Sequence, residues 1–353
     1  MANMPNVALA ARLHSVGTPL EIEECPLPAL EPGEVLVRVD ACGVCGSDLH
    51  MWRGTVPVRK TPIVLGHEIA GTVAACGPDT SPWSADDAVI VRAGASCGSC
   101  RYCRSQRDNL CHNQRVLGMD LDGGFAQYVK APAASLLSLP DGIPLEVGAI
   151  LSDAVATPYH ALSERGTLQP GESVAVFGCG GLGTHAVQLA LVMGAGCVIA
   201  IDVRQAALER AKGLGAHEII NAESEAPYKT IHRLTDGGVD LALECVGRPE
   251  TIAQALRSLR PGGRAVIVGM GQEPIGLPPP ALFAWREYAV LGSFGSTRSD
   301  LERVIELVQS GQLDLGRSIS ARLPLREANK ALEMLESKEG DPVRLVILPW
   351  EGV

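Results

Sequence analysis

The sequence predicts an α/β protein with a mostly-β first part and a doubly wound parallel sheet in its second part. Two changes of pattern and one motif support this prediction. Residues 35–43 and 68–77 are apolar or alternating runs that end in glycine, which is typical of short strands. From Ser173 onward, apolar strands alternate with helical segments, which indicates a parallel sheet covered on both faces. The run VAVFGCGGLG (174–183) joins a strand to a helix through glycines.

The elements follow in order along the chain. Proline and glycine interrupt the first part often, as in EPGE (31–34) and CGPD (76–79), and residues 139–166 form a bridge with helical pieces. In the second part, the pattern predicts strands at 174–178, 197–202, 241–247 and 264–270, and helices at 184–195, 204–216 and 251–260. After residue 290 it predicts helices at 300–311 and 325–337 and a closing strand at 343–349.

Composition and charge exclude several classes of protein. The 353 residues are enough for two ordinary domains, and 46% of them are hydrophobic. A net charge of −10 opposes binding to nucleic acid. The longest apolar region, 174–201, is interrupted by glycines, so we expect no membrane span and no membrane partner. The N-terminus lacks a basic start followed by a long apolar run, so we expect a cytoplasmic protein.

Four cysteines lie close together at Cys97, Cys100, Cys103 and Cys111. A tetrahedral zinc ion takes four thiolates at roughly 2.3 Å, and short Cys-x-x-Cys turns present sulfurs in that geometry. The chain has 11 cysteines, and an odd number in a reducing compartment disfavours a disulfide framework. A nucleic-acid zinc knuckle is the other alternative, which local arginines favour and the acidic chain opposes. Because four thiolates leave no open position, the sequence predicts a structural zinc.

The glycine run matches G-x-G-x-x-G, with Gly181 and Leu182 inside the motif formed by Gly178, Gly180 and Gly183. Glycines at these positions allow a tight turn, close approach of a pyrophosphate and packing of helix on strand. The next strand ends in Asp202, whose carboxylate can accept hydrogen bonds from a ribose and would repel a 2′-phosphate. NAD is therefore favoured over NADP, although Arg204 could pair with a phosphate.

A second set of metal-type ligands lies in CGVCGSDLH (42–50) and LGHEIAG (65–71), where Cys45 and His67 are the candidates. A catalytic zinc needs a third protein ligand and an open position. Asp153 is a candidate, because one thiolate, one neutral imidazole and one carboxylate would balance the charge of Zn²⁺. Sequence spacing alone does not select it.

With these motifs the chain resembles the zinc-dependent alcohol dehydrogenases of the medium-chain dehydrogenase/reductase family. GHEIAGTV (66–73) is similar to a signature of that family, and the two cysteine segments are similar to its catalytic and structural zinc loops. The resemblance implies a GroES-like catalytic domain with both zinc sites at 1–155 and 291–353, and a Rossmann domain at 156–290. It also implies two zinc ions per chain and assigns Cys45, His67 and Asp153 to the catalytic one.

The resemblance further implies roles for residues around these sites. Ser47 and His50 would form a proton relay, and Asp48 would orient His67. Glu68 lies next to the site, and in some members the side chain at this position can approach the metal. The implied reaction transfers a hydride between NAD(H) and an alcohol through a zinc-bound alkoxide. The implied cofactor contacts beyond the glycine loop are those of Thr157, Val246, Val268, Gly269, Met270 and Arg344.

The substrate is predicted only by class. The implied pocket includes Ser47, Met270, Trp52, Ala93, Phe125 and Phe294. Ala93 stands where many members that act on primary alcohols carry an aromatic ring, so we expect a secondary alcohol or polyol and its ketone. The short loop after Cys111 is similar to that of tetrameric members, so we expect a homotetramer, with a homodimer as the alternative. A carbonyl reductase or primary alcohol dehydrogenase of the same family, and a non-catalytic nucleotide-binding protein, are the alternative functions.

Overall fold

The computed structural model describes residues 5–352. Its strands are β1 (Val7–Leu13), β2 (Glu21–Pro26), β3 (Glu34–Val44), β4 (Ile63–Val64), β5 (Glu68–Cys76), β6 (Ala88–Val91), β7 (Gly94–Ala95), β8 (Arg115–Val116), β9 (Tyr128–Pro132), β10 (Leu136–Ser138), β11 (Ser173–Phe177), β12 (Cys197–Asp202), β13 (Glu218–Asn221), β14 (Val239–Glu244), β15 (Leu259–Ile267), β16 (Ala289–Gly292), β17 (Ile319–Pro324) and β18 (Arg344–Leu348). Its α-helices are α1 (Gly46–Trp52), α2 (Arg101–Arg104), α3 (Leu145–Ile150), α4 (Ala156–His160), α5 (Gly183–Val192), α6 (Gln205–Gly213), α7 (Pro227–Leu234), α8 (Pro249–Arg257), α9 (Pro280–Trp285), α10 (Arg298–Gln309) and α11 (Ala328–Ser337).

The chain folds into two compact units, and the first of them is discontinuous. Unit 1 contains the residues up to Ala154 and those from Thr297 onward, and unit 2 spans Val155–Ser296. In unit 1, a seven-stranded sheet runs in the order β10-β6-β5-β3-β18-β17, with β9 also paired to β3. The last strand of the chain therefore completes the sheet that the first part begins, and β18 pairs antiparallel with β3.

The second unit contains a six-stranded, fully parallel sheet in the order β13-β12-β11-β14-β15-β16. Its central strands β11 and β14 are mostly apolar and have no exposed positions, as expected for strands covered on both faces. The order reverses beside β11, because the chain moves outward to β12 and β13 and then returns to β14. A ligand site is expected at the carboxyl ends of the strands that flank such a reversal.

The predicted α/β class is confirmed, and most helices and strands lie within a few residues of their predicted bounds. After residue 173 the prediction omitted β13, α7, α9, β16 and β17, which are short or lie in segments rich in proline and polar residues. Unit 2 reaches Ser296, whereas the predicted boundary was residue 290, because β16 pairs with β15 as the last strand of the parallel sheet. No helix within residues 5–352 is long and apolar enough to cross a membrane.

Candidate metal centres and cofactor loop

Four potential metal ligands from distant parts of unit 1 converge at one point. Ligand atoms of Cys45, His67, Glu68 and Asp153 all lie within 4.8 Å of one another. Cys45 follows β3 and precedes α1, His67 precedes β5, and Asp153 lies in a π-helical turn over Leu151–Val155. The Asp153 Oδ2 atom lies 3.3 Å from the Cys45 sulfur and 3.6 Å from His67 Nε2. A thiolate, an imidazole nitrogen and carboxylates at this spacing form a donor set that suits zinc.

The buried carboxylate of Asp48 organises this centre from behind. Its Oδ2 accepts the backbone N–H of Cys45 at 2.8 Å, and its Oδ1 accepts that of Gly66 at 3.2 Å. The same Oδ1 lies 3.3 Å from Nδ1 of His67, so the other ring nitrogen, Nε2, faces the ligand cluster. The acidic neighbours hold the pKa of His67 well above its usual range, against the effect of burial. This surplus of negative charge is what a divalent cation would neutralise.

Glu68 and Arg344 form a buried ion pair at the edge of the same centre. The side chains are 0% and 3% exposed, and Arg344 Nη2 lies 2.8 Å from Glu68 Oε1 in a geometry that is not aligned for a hydrogen bond. Burial raises the pKa of Glu68 to about 8, although Arg344 opposes the shift. Gly43 is required opposite this carboxylate, because a Cβ there would collide with it.

The resemblance makes Arg344 a cofactor contact, which stays a prediction, and the structure shows a second set of contacts for this residue. Its guanidinium lies 3.6 Å from the Cys45 sulfur and 3.8 Å from Asp153 Oδ2 in addition to Glu68. The structure therefore places Arg344 in the metal centre as the cation that balances its carboxylates. Sequence reasoning missed this role because β18 reaches the site only through the long-range pairing with β3.

The side chains of the predicted relay lie beside the same centre. Ser47 Oγ is 3.2 Å from His67 Nε2, and both Ser47 and His50 belong to α1. His50 is partly exposed, and its Nδ1 lies 3.0 Å from Thr55 Oγ1. One hydroxyl therefore faces the ligand cluster, and one imidazole three residues further along the same helix reaches toward solvent.

The four clustered cysteines lie in a separate lobe of unit 1. Their sulfurs all lie within 4.8 Å of one another, and those of Cys100 and Cys103 are 3.5 Å apart. Hydrogen bonds from Ser99 and from the backbone of Cys100 lower the pKa of Cys97 to about 6. Because backbone donors stabilise thiolates at this point, the residues present fit a closed tetrahedral zinc site.

The glycine loop of unit 2 is shaped for a close ligand. Gly178 has a φ of +87°, and a Cβ at Gly183 would collide with the carbonyl oxygen of Gly178. No atom lies within 4 Å of the space that a Cβ of Gly180 would occupy, so the backbone there is open to a phosphate. Asp202 accepts the N–H of Cys179 at 2.7 Å and that of Arg204 at 2.9 Å, which places its carboxylate beside the loop. These features fit the dinucleotide expected from the motif.

The remaining predicted residues differ in exposure. Gly181, Leu182 and Ala93 are half-buried, Thr157 and Val268 are buried, and Val246, Met270 and Phe294 are exposed by 40%, 47% and 53%. Trp52 is 5% exposed and donates its indole N–H to the oxygen of Thr18. Phe125 is completely buried in the core of unit 1, against Gly66. The structure thus places Phe125 behind the metal centre as a packing residue and not on a pocket wall.

Both units match known family models. Residues 31–141 match the alcohol dehydrogenase GroES-like domain, and residues 181–310 match the zinc-binding dehydrogenase domain. The sorbitol dehydrogenase of Bacillus subtilis is 34% identical over 98% of this chain and 98% of its own length. The NAD-dependent alcohol dehydrogenase of Sulfurisphaera tokodaii is 33% identical over 93% of this chain and 96% of its own.

A solved structure extends this similarity to three dimensions. The alcohol dehydrogenase of Thermus sp. ATN1 superposes with a TM-score of 0.90 at 35% identity, covering 96% of this chain and 99% of that one. The GroES-like fold of unit 1, the Rossmann sheet of unit 2 and similarity over nearly the full length agree with one another. The chain is an oxidoreductase and belongs to the zinc-dependent alcohol dehydrogenases of the medium-chain dehydrogenase/reductase family.

Proposed function

We propose that this enzyme transfers a hydride between NAD(H) and a secondary alcohol or polyol and the corresponding ketone. The observation that carries the proposal is the convergence of Cys45, His67 and Asp153 with the hydroxyl of Ser47 at 3.2 Å from the histidine. A purely structural metal site would have no use for a hydroxyl at its edge, whereas an alcohol substrate needs a group that takes its proton.

The residues of unit 1 would divide the work as follows. When bound, zinc supplies Lewis acidity toward the substrate oxygen, and NAD accepts the hydride. Cys45, His67 and Asp153 hold the metal, and Asp48 keeps His67 in the tautomer whose Nε2 is free to ligate. Ser47 would accept the proton of the substrate hydroxyl while giving up its own hydroxyl proton toward His50, and His50 would release a proton to solvent from the exposed side of α1.

Glu68 and Arg344 would control the charge of the centre. With Cys45 and Asp153 ionised and His67 neutral, the three ligands carry two negative charges, which match one divalent cation. Burial raises the pKa of Glu68 to about 8, so its carboxyl group adds a third charge only as the pH approaches that value, and the Arg344 guanidinium at 2.8 Å then balances it. The three ligands leave the fourth position of the metal for the substrate, and the buried Asp48 carboxylate beside His67 adds one further negative charge to the centre.

Two features support a secondary alcohol or polyol over a primary alcohol. Ala93 is a small, half-buried side chain, so it leaves room that a ring would fill. One of the full-length relatives is named for its action on sorbitol, a polyol. The half-exposed Phe294 and Met270 stay as proposed pocket residues.

For the cofactor, we propose NAD, because the Asp202 carboxylate lies at the end of β12 beside the glycine loop.

For the assembly, we propose a homotetramer in the cytoplasm. Several large apolar side chains of unit 2 are exposed over a short stretch of chain, and such patches mark contact surfaces. They are Ile275, Leu277, Leu282 and Trp285, the last of which is 84% exposed.

The testing experiment follows NADH formation by the purified, zinc-loaded enzyme on primary alcohols, secondary alcohols, cyclic diols and polyols, with NADP in parallel. We expect turnover concentrated on secondary alcohols or polyols, and about two zinc ions per chain by metal analysis. A clear preference for small primary alcohols would overturn the substrate class. Zinc and NAD binding without turnover on any alcohol or ketone would favour the non-catalytic alternative.

A further inference from the structure

The buried carboxylate of Glu244 has no part in the function proposed above. It is 0% exposed and lies at the carboxyl end of β14, the strand next to the glycine-loop strand β11. Burying a carboxylate is unfavourable unless donors surround it, so its surroundings indicate what it holds in place.

The donors to the side chain of Glu244 belong to the turn that follows β14 and to the first turn of α8. Oε1 accepts the backbone N–H of Val246 at 3.0 Å and that of Gly247 at 2.9 Å, and it also accepts the hydroxyl of Thr251 at 2.6 Å. Oε2 lies 3.1 Å from the same Gly247 nitrogen. One side chain thus gathers two consecutive backbone donors and the first turn of α8.

The backbone of Glu244 holds a second turn, the one that follows β15. Its carbonyl oxygen accepts the N–H of Val268 at 2.8 Å and that of Gly269 at 3.0 Å. The two turns then pack with no side chain between them, because a Cβ at Gly269 or Gly271 would collide with the backbone of Gly247. Movement of the first turn would therefore displace the second.

The position of these turns in the sheet indicates which part of a dinucleotide they face. Asp202, the proposed ribose partner, lies on β12, on one side of β11, whereas both turns follow strands on its other side. A dinucleotide that crosses the carboxyl edge with its pyrophosphate at Gly180 has its adenosine half toward β12. Its nicotinamide half then lies toward β14 and β15.

We propose that Glu244 is a positioning residue that holds the turns 245–247 and 268–271 in place for the nicotinamide half of the cofactor. This inference rests on the proposed NAD-linked function. It predicts that Glu244 contributes to the affinity for NAD and contributes little to the affinity for ADP-ribose. ADP-ribose has the adenosine half and the pyrophosphate but no nicotinamide ring.

The test measures binding of NAD and of ADP-ribose by calorimetry to the full-length, zinc-loaded protein. In Glu244→Gln, an amide N–H group would face the N–H of Gly247 in place of Oε2. We expect its Kd for NAD to rise about tenfold, the effect of losing one hydrogen bond to a charged group, and that for ADP-ribose to change by less than about threefold. Thr251→Val, which removes only the hydroxyl donor, should shift NAD binding in the same direction by a smaller factor.

Asp240→Asn is the matched control. Asp240 is a carboxylate on the same strand, but it accepts the N–H and hydroxyl of Ser173 at the opposite end of the sheet. Its substitution should leave both Kd values within about twofold of those of the unaltered protein.

Two results would overturn the inference: an unchanged Kd for NAD in both Glu244→Gln and Thr251→Val, or an equal loss of affinity for NAD and ADP-ribose. If Glu244→Gln fails to fold, the change in Kd for NAD relative to that for ADP-ribose in Thr251→Val decides the question. If the unaltered protein binds neither NAD nor ADP-ribose, the proposed function fails, and the inference fails with it.

Discussion

At the scale of single residues, the proposed reaction depends most directly on the sulfur of Cys45. It lies 3.3 Å from Asp153 and within the four-ligand cluster of unit 1. Cys45→Ala should remove one of the two zinc ions and lower kcat/KM at least about 1,000-fold, because the remaining ligands cannot hold the metal in a tetrahedral site. Metal analysis and NADH formation measure both effects. NAD binding should be unchanged, and substantial residual turnover would contradict the assignment.

A second prediction at the residue scale concerns the choice between NAD and NADP. Asp202 accepts two backbone N–H groups, and Arg204 lies beside it with its Nε 3.6 Å from Oδ1. Asp202→Ala should remove the charge that repels a 2′-phosphate and leave Arg204 to pair with it. We expect the ratio of kcat/KM for NAD to that for NADP to fall about 100-fold, measured with one alcohol and both cofactors. The control Glu223→Gln, which changes an exposed carboxylate of the same unit, should not move this ratio.

At the scale of elements, β14 carries Asp240 near its start and Glu244 at its end. Burial raises the pKa of Glu244, whereas the pKa of Asp240 is lowered. Burial raises the pKa of Asp240, but hydrogen bonds from Ser173 and the pairing with Arg260 outweigh it, so the pKa is lowered overall. A lowered folded-state pKa stabilises the fold above the unfolded value of about 3.9, and this contribution is lost as the pH falls through the folded value.

We therefore expect Asp240→Asn to lower the free energy of unfolding by about 1 kcal/mol at pH 7. The difference between variant and unaltered protein should shrink as the pH is lowered below about 4. Urea unfolding at a series of pH values measures it. A difference that is constant down to pH 3 would show that packing, and not the charge of Asp240, is responsible.

At the scale of the whole molecule, the four-cysteine lobe depends on its thiolates for its shape. Most of its residues are exposed, so it has little apolar surface to bury. Outside the cysteines, its buried groups include Asn109 and the ion pair between Asp108 and Arg92. Cys103→Ser should lower the zinc content from two ions to one and lower the Tm by about 5 °C or more. Cys76→Ser, an exposed cysteine outside both clusters, is the control and should change neither zinc content nor Tm. Unchanged zinc content in Cys103→Ser would contradict the predicted structural site.

The parts of this molecule that could be predicted from sequence are those whose partners are close along the chain. The four cysteines lie within residues 97–111 and the glycine loop within residues 178–183, so the spacing of each motif indicates its geometry. Arg344 and Phe125 show where that reasoning ends. Arg344 meets Glu68 only because β18 pairs with β3, and Phe125 is buried because it packs against Gly66. No pattern of neighbouring residues in the sequence indicates either of these contacts.

Glu244 is an intermediate case. An acidic residue at the end of the apolar run LALE has the same pattern as Asp202 at the end of CVIAID. That signal was available in the sequence, since a carboxylate at the end of a buried parallel strand needs donors from the following turn. What the pattern does not indicate is which donors these are, because one carboxylate faces the adjacent glycine loop and the other faces its own turn.

The discontinuity of unit 1 has a consequence for how the protein is made in the cell. All residues of unit 2 have been made once residue 296 has left the ribosome. The metal centre still lacks Arg344 until β18 has been made. Until then Glu68 lacks its partner Arg344, and burial of the unpaired side chain favours its protonated form over the carboxylate. Unit 2 can thus fold before β18 has been made, whereas the proposed catalytic zinc can be bound stably only after β18 has been made.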